Sequence, residues 1–341
     1  MSERFRTLPA GPFDAIVVGA GLGGLSAGAI LARRGARVLV VDRHYAAGGN
    51  ATVFKRRGYE FDVGMHYIGG CGPRGVVPRI LRAGGAEPVE FLELDADGYD
   101  TLVFPDFTFR VPKGLEAFRR RLLEHFPDER RGVERYLSLL EPLFLLQGGG
   151  AGAVASLRAL PKALLLARWS RSTYGAFLDT CTANPRLRAV LTGQSGDYAL
   201  PPSRAALPVG AGLVAHYLSG AYFPKGGGQV ISDRLAEAIE RNGGKILLRT
   251  DARRILVERG RVVGVELASK HLGVRVVRAP CVVSNADLKQ TLERLVGPDH
   301  LKPKTLARTR AFEMAPALGV VYVGLRRDLR AEGHPRTNYW V

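Results

Sequence analysis

The chain has 341 residues, 46% of them hydrophobic, and a formal net charge of +17. This length and apolar content suffice for a substantial core and for two domains. The three cysteines, Cys71, Cys181 and Cys281, are far apart, odd in number and outside any C-x-x-C motif. That usage argues against a disulfide framework and against a zinc site, and it fits a reducing cytoplasm.

The strongly basic balance first suggests a nucleic-acid partner. The basic residues are spread along the chain, however, with only short clusters such as 119–121 and without the interleaved aromatic residues of a stacking platform. We therefore predict no nucleic-acid partner. Attraction to anionic lipid is the better functional interpretation, and a solvated basic surface explains the charge equally well.

No segment of the sequence is typical of a signal peptide or of a membrane span. The N-terminus is short and polar, and the longest stretch without Lys, Arg, Asp or Glu, residues 205–224, is interrupted by proline and glycine. Residues 156–169 mix Leu and Trp with Arg and Lys, which is typical of an interfacial helix and also of a helix packed on the protein body. These patterns predict a cytoplasmic protein. Peripheral membrane contact through residues 156–169 is an alternative that the same patterns allow.

The N-terminal stretch 13–50 indicates a dinucleotide-binding unit of an α/β fold. An apolar strand at 14–18 leads into a G-x-G-x-x-G turn at 19–24, a helix over 22–34 and a second buried strand at 37–41. Phosphates would lie at the helix N-terminus, and the acid that ends the second strand is placed to bind a ribose diol. The candidate cofactor-binding residues in this stretch are Gly19, Ala20, Gly21, Gly23, Gly24 and Asp42.

The next residues indicate which dinucleotide is bound. Arg43 follows the acid, and a glycine pair, Gly48-Gly49, stands six residues beyond it, followed by Asn50. A plain nicotinamide-binding unit rarely has such a pair, whereas a second close approach of the backbone suits the pyrophosphate and the isoalloxazine end of FAD. We therefore add these four residues to the predicted cofactor site.

The run from Gly48 to Gly69, which ends in G-x-H-Y-x-G, resembles the flavoprotein superfamily of phytoene desaturases, carotenoid isomerases and retinol saturases. That ending is most similar to the retinol saturase and carotenoid isomerase branch. Two further segments resemble the same superfamily. Residues 221–229 correspond to the point where the chain re-enters the nucleotide domain beside the flavin, and residues 281–287 correspond to the superfamily's return strand. The resemblance implies that FAD is the cofactor, with NAD(P) an open candidate for its electron partner. It also implies that the backbone of Ala252 contacts the adenine side and that the substrate is a carotenoid or retinoid polyene.

The resemblance further implies a Rossmann-like FAD-binding domain with an inserted α+β substrate domain. We place the FAD domain at 1–70 and 221–287, and the substrate domain at 71–220 and 288–341. The substrate domain is predicted to hold a hairpin at 99–111, helices at 114–125 and 128–146, short helices over 173–220, and a strand at 317–325. Helix 229–242 and strands at 245–248, 250–257, 261–267 and 274–278 would complete the FAD domain.

Three residues are candidates for catalysis. His66, bracketed by Gly64 and Gly69, would suit proton donation near neutral pH, and Tyr67 has the same potential role. Lys225 could place a positive charge near the flavin. Each has an ordinary structural alternative: a histidine or tyrosine bonded to its surroundings, or a lysine on a glycine-rich turn.

Members of the superfamily carry a further C-terminal portion with a second glycine-rich flavin-contacting segment, and no such segment stands in this sequence. We therefore expect a fragment or a truncated protein. The leading hypothesis is an FAD-dependent oxidoreductase of polyenes, and the alternatives are an NAD(P)-dependent dehydrogenase and an inactive flavoprotein fragment.

Overall fold

The computed structural model describes residue 8, residues 11–145 and residues 168–341. The predicted interfacial helix at 156–169 lies almost entirely outside these described residues. The strands, in chain order, are β1 Ala15–Val18, β2 Val38–Val41, β3 Val53–Arg56, β4 Tyr59–Asp62, β5 Ile68–Gly69, β6 Phe91–Glu93, β7 Asp100–Val103, β8 Thr108–Val111, β9 Ala221–Pro224, β10 Lys245–Leu247, β11 Asp251–Glu258, β12 Arg261–Ser269, β13 Gly273–Arg278, β14 Cys281–Ser284 and β15 Asn338–Trp340.

The described residues also form nine α-helices, five of which follow one another between β8 and β9. They are α1 Leu22–Arg33, α2 Val76–Gly84, α3 Leu115–His125, α4 Arg130–Phe144, α5 Tyr174–Asp179, α6 Pro185–Leu191, α7 Leu207–Leu218, α8 Gln229–Arg241 and α9 Pro303–Ala311. Short 3₁₀ turns and one π-helical segment add Gly49–Ala51, Pro127–Glu129, Ser195–Tyr198, Pro298–His300 and Gln290–Val296.

The chain divides into two units. The first comprises Met1–His66, Pro78–Glu90 and Pro224–Met314, and the second comprises Tyr67–Val77, Phe91–Phe223 and Ala315–Val341. Contacts thus group 78–90 and 288–314 with the first unit, although the sequence analysis assigned both segments to the substrate domain. The assignment of cofactor and substrate roles to the two domains remains a prediction.

The first unit is built on a parallel sheet in the order β10-β2-β1-β14. Strands β1 and β2 are four-residue runs of Ala, Ile, Leu and Val, and every one of their residues is buried. This uninterrupted apolar pattern is typical of parallel strands covered on both faces. Helix α1 passes close to the sheet at Gly28, where an added Cβ would lie 3.1 Å from both Val40 Cγ2 and Ile239 Cδ1. The predicted α/β Rossmann-like class is therefore confirmed.

A second layer of the first unit is the antiparallel sheet β11-β12-β13. One apolar cluster joins the two sheets, since Ile16 and Leu39 of the parallel sheet pack with Val265 and Leu267 of β12. The strands predicted at 245–248, 250–257, 261–267 and 274–278 all form, with ends shifted by at most two residues.

The second unit combines a small sheet with a helical layer. Strands β7 and β8 form the predicted hairpin, and β15 adds to β7 in parallel, with Asn338 opposite Asp100. Helices α3 to α7 bury apolar side chains in the same core, which includes Phe109 of β8, Tyr136 of α4 and Phe177 of α5. The segment predicted as helix 128–146 begins with a 3₁₀ turn and continues as α4.

The strand predicted at 317–325 is wrong as a description of the structure. Residues 312–325 have no regular secondary structure, and every residue from 310 to 336 is exposed. The apolar, β-branched pattern favours a strand, but a strand forms only where a neighbour accepts and donates its backbone hydrogen bonds. This segment has no partner strand among the described residues.

Candidate functional site

The carboxyl ends of the parallel strands form a cleft of about 540 Å³ in the first unit. Gly19 follows β1, Asp42 follows β2 and Asn285 follows β14, and all three residues line it. Ligands of open α/β sheets bind outside the carboxyl ends of the strands, because the connecting loops converge there. The topology alone therefore makes this cleft the candidate site.

The first glycine turn supplies the floor of the cleft. Gly19 has φ +101°, which only glycine adopts without strain, and turns the chain from β1 into α1. Gly21 is the N-cap of α1 and lines the cleft, and no side chain caps the helix. The first N–H groups of α1 are thus left for a ligand, and the helix dipole favours an anion such as a phosphate.

Gly23 and Gly24 belong to the turn but do not line the cleft. A Cβ on Gly24 would lie 2.0 Å from the Gly19 carbonyl oxygen, so this position must be glycine for α1 to start where it does. A Cβ on Gly23 would meet only the far end of the Asn285 side chain, 2.6 Å from Oδ1.

Asp42 is held by the backbone around it. Its Oδ2 accepts a hydrogen bond from Ala20 N at 2.7 Å, and its Oδ1 accepts one from His44 N at 2.8 Å. Each carboxylate oxygen has a further lone pair, so the side chain can still accept from a ribose hydroxyl. Ala20 is itself buried and acts here through its N–H, whereas Arg43 is exposed at the rim of the cleft.

The second glycine pair is in direct backbone contact with the first turn. Gly48 N donates to Ala20 O at 2.7 Å, and Gly21 and Gly48 form an isolated parallel bridge. Gly48 and Gly49 have φ +133° and +59°, and a Cβ on Gly49 would lie 3.2 Å from Gly21 Cα. Both glycines and Asn50 line the cleft, so two separate glycine segments present backbone to the same space.

Several lining residues were not named from the sequence. Thr250 and Asp251 line the cleft beside the predicted Ala252, and Asn285, Ala286 and Asp287 line it after β14. Thr250 N donates to Asp42 O, and Asn285 N donates to Val18 O at 2.7 Å. A usable signal was present for the second group, because a polar run directly after a parallel strand lies at the ligand-binding edge.

None of the three predicted catalytic side chains lines this cleft. His66 is exposed. Lys225 is also exposed and forms an ion pair with Glu90, with Nζ 2.9 Å from Oε2. Tyr67 belongs to the second unit and is buried there.

Tyr67 takes part in a buried polar network around Asp100. The Tyr67 hydroxyl donates to Asp100 Oδ2 at 2.8 Å, Gln194 Nε2 donates to the same oxygen at 2.5 Å, and Asn338 Nδ2 donates to Oδ1 at 3.2 Å. Burial raises the pKa of the Asp100 carboxyl above its ordinary value. Burial, and then the nearby Asp100 charge, raise the pKa of the Tyr67 phenol as well. This arrangement is a satisfied structural network, in which the phenol holds its proton.

Among the described residues, no cluster of three or more His, Cys, Asp or Glu side chains is arranged to hold a metal ion. In the same part of the chain, no helix has the length and apolar content needed to cross a bilayer.

Comparison with known proteins defines the class first. A family described as an NAD(P)-binding Rossmann-like domain matches residues 17–83. The solved structure of the PF1083 protein from Pyrococcus furiosus has a TM-score of 0.63 at 23% identity, covering 88% of this chain and 65% of that one. A putrescine oxidase structure has a TM-score of 0.59 at 16% identity, covering 89% and 64%. The chain thus has the fold of FAD-dependent oxidoreductases, with a Rossmann-like dinucleotide-binding domain.

The relatives then define the superfamily. All-trans-retinol 13,14-reductase of Macaca fascicularis is 32% identical over 96% of this chain, and that of Homo sapiens is 31% identical over the same share. Prolycopene isomerase of Daucus carota is 25% identical over 93%. The chain is thus homologous to the retinol saturase, carotenoid isomerase and phytoene desaturase superfamily of flavoproteins, as the motifs predict. It spans 56% of the length of the two reductases and 53% of the isomerase, so about half of each.

Proposed function

We propose that the cleft binds FAD and that the chain is part of an FAD-dependent oxidoreductase that acts on a lipophilic polyene, a carotenoid or a retinoid. The observation that carries the cofactor assignment is the meeting of Gly21 with Gly48-Gly49 through backbone alone. Two glycine segments without intervening side chains allow a pyrophosphate to approach both, which a single glycine turn does not offer.

The residues present fit such a group. The uncapped N-terminus of α1 would bind the phosphates, Asp42 would accept from the ribose, and Thr250 to Ala252 would flank the adenosine end. Arg43 at the rim adds positive charge near the phosphates. The flavin, when bound, supplies the hydride or electron exchange, while the chain binds and orients it.

The substrate class is supported by the relatives. Their names specify a retinol and a prolycopene, both long polyenes. The proposed reaction on such a polyene is a desaturation, a saturation or an isomerisation. NAD(P) as the electron partner is also part of the proposal, as is a catalytic role for His66, Tyr67 or Lys225. The buried network around Tyr67 favours His66 and Lys225 for direct contact with ligand.

A titration with FAD, NADH and NADPH tests the cofactor assignment. We expect FAD to bind the chain and its flavin fluorescence to be quenched on binding. In the Gly49→Ala variant, the affinity for FAD should be weaker by at least about tenfold, or about 1.4 kcal/mol. The matched control is Gly58→Ala, because Gly49 and Gly58 both have positive φ but only Gly58 has open space around its Cβ position. Tighter binding of NADH or NADPH than of FAD would support the dehydrogenase alternative instead.

Incubation of the flavin-loaded chain with a panel of retinoids and carotenoids, followed by product analysis, tests the substrate class. A Lys225→Met variant addresses its proposed catalytic role: if the exposed lysine acts near the flavin, turnover falls while FAD affinity and thermal stability are kept. Unchanged turnover would leave Lys225 with the ion pair to Glu90 alone.

Peripheral membrane contact through 156–169 remains a proposal from the sequence. We expect co-sedimentation with anionic liposomes that weakens in high salt and on Leu165→Glu. A chain that stays in the supernatant at low salt would contradict it.

A further inference from the structure

The residue that follows β14 packs on the first glycine turn. A Cβ on Gly21 would lie 3.0 Å from Asn285 Nδ2, and a Cβ on Gly23 would lie 2.6 Å from Asn285 Oδ1. Gly24 is also close, because its Cβ position is 3.2 Å from the Cβ of Asn285. The side chain of Asn285 therefore lies along the first turn of α1, and the glycines of that turn leave room for it.

The amide of Asn285 presents its donor end to the cleft. Its Nδ2 is next to Gly21, which lines the cleft, and its Oδ1 is next to Gly23, which does not. The backbone of Asn285 is fixed by the sheet, since its N–H donates to Val18 O at 2.7 Å. The side-chain amide makes no hydrogen bond to any other residue in the described part of the chain. Two N–H donors on Nδ2 are therefore left for a ligand.

The charges of the cleft make such uncharged donors important for an anionic ligand. Of the charged side chains that line the cleft within the described ranges, three are carboxylates (Asp42, Asp251 and Asp287) and one is a cation, Arg43. Side-chain charge alone does not favour a diphosphate in this space. The donors that remain for it are the first N–H groups of α1 and the amide of Asn285.

We propose that Asn285 is a specificity-determining residue of the cleft, whose Nδ2 donates a hydrogen bond to the diphosphate of the bound dinucleotide. This inference rests on the proposed function, because it concerns the same cleft and the same ligand. The contact favours a ligand with a diphosphate over an uncharged nucleoside. It also gives Gly23 a positioning role, because this glycine lies outside the cleft and provides the space in which the amide lies.

A role for Asn285 in capping α1 fits the structure less well. Asparagine caps a helix when its side-chain oxygen accepts from the first N–H groups, but no such hydrogen bond joins the amide to α1 among the described residues. The two roles predict opposite results for Asn285→Asp. An aspartate would keep or strengthen a cap, because a carboxylate accepts hydrogen bonds and is favoured at the positive end of the helix dipole. It would lose the contact to a diphosphate, because it has no N–H and carries a negative charge.

Equilibrium binding of ADP, adenosine and FAD, measured by calorimetry, tests the proposal. ADP contains the diphosphate and adenosine does not. In Asn285→Asp we expect the affinity for ADP and for FAD to fall by at least about tenfold, and the affinity for adenosine to change by less than about twofold. Thermal unfolding of the ligand-free variant should be unchanged or slightly higher. The matched control is Asn242→Asp, which makes the same change of charge at the C-cap of α8, outside the cleft, and should bind ADP as the parent does.

Gly23→Ala tests the same contact without changing Asn285. Its methyl group would displace the amide, so the affinity for ADP should fall by about fivefold, as in Asn285→Ala. The two substitutions together should weaken binding no more than either alone, since both remove one contact.

Three results would each overturn the proposal: unchanged affinity for ADP in Asn285→Asp, equal losses of ADP and adenosine binding, or additive losses for Gly23→Ala and Asn285→Ala. A parent chain that bound neither ADP nor FAD would instead overturn the proposed function, and this inference with it. The two failures are distinguishable, because only the second is seen in the parent.

Discussion

The cleft of the first unit and the buried network of the second unit position polar groups in opposite ways. In the cleft, glycine turns present backbone N–H groups to an open space at the edge of the sheet. In the network, side chains from four distant positions, Tyr67, Asp100, Gln194 and Asn338, satisfy one another in the core. The cleft retains hydrogen-bonding capacity for a ligand, whereas the network has used its capacity for the fold.

Because of this difference, substitutions in the two regions should destabilise the protein in different ways. Substitutions at the glycines of the first turn should act by steric overlap with backbone. Substitutions in the network should act by leaving a buried donor or acceptor without a partner. Stability measurements on matched variants of each region therefore test the comparison directly.

Gly24→Ala should have the largest effect. The new methyl group would lie 2.0 Å from the Gly19 carbonyl oxygen, and neither backbone can move without displacing α1 from β1. We expect a loss of more than about 3 kcal/mol in the free energy of unfolding, with loss of FAD binding. Chemical denaturation and flavin titration measure both.

Gly23→Ala is the matched control for this prediction. Its methyl group meets only the end of the exposed Asn285 side chain, which can rotate away. Because alanine favours a helix by about 1 kcal/mol over glycine, this variant should be neutral or slightly more stable. Equal destabilisation by both variants would show that the steric account of Gly24 is wrong.

Asp100→Ala should have the next largest effect, in the second unit. The substitution leaves the Tyr67 hydroxyl and the Gln194 amide buried without their acceptor. We expect a loss of about 2–3 kcal/mol in the free energy of unfolding. In a double-mutant cycle with Tyr67→Phe, the two losses should not add, because both remove the same hydrogen bond.

The Asp100 network also makes a prediction about pH. Because burial raises the pKa of Asp100 in the folded state, its contribution to stability is largest below about pH 4, its ordinary pKa, and falls as the pH rises through the folded pKa. Asp100→Asn should therefore reduce the loss of stability over that rise. Strictly additive losses in the cycle, or an unchanged pH profile in Asp100→Asn, would contradict the network.

The cleft was largely predictable from the sequence and the network was not. Gly19, Gly21, Asp42 and the Gly48 pair lie within a short stretch, and a strand–turn–helix motif has one physical arrangement. The contribution of Asn285 depends on which strand pairs with β1, which local patterns do not specify.

The buried hydrogen bond of Tyr67 depends on a network of side chains from positions 100, 194 and 338, which are far apart in the sequence. Local patterns therefore could not predict this network, and the catalytic role of Tyr67 stays a prediction. The strand predicted at 317–325 was wrong for a related reason. Its composition favours a strand, but pairing is a property of the neighbour and not of the segment itself.

The smallest expected effect concerns His216 in α7. Its side chain holds the backbone of a glycine turn at Gly69. Its Nε2 accepts a hydrogen bond from Gly69 N at 3.1 Å, and burial lowers its pKa below the ordinary value. A protonated imidazole has no acceptor for this N–H. The unfolded chain therefore takes up the proton more readily than the folded one, and the stabilisation is present above about pH 6.5 and lost as the pH falls through the lower folded pKa.

We expect His216→Gln, whose amide oxygen can accept but does not titrate, to reduce the loss of stability as the pH falls below about 6.5. Denaturation at a series of pH values measures the slope, and His271→Gln, at an exposed turn, is the control that should leave it unchanged. If His216→Gln keeps the parent slope, another group carries the acid sensitivity and the Gly69 turn is held by packing alone. A Cβ on Gly69 would lie only 2.6 Å from His216 Nε2, so the imidazole also packs closely on this turn. The pH slope separates the hydrogen bond from this packing, because only the hydrogen bond is lost when the imidazole is protonated.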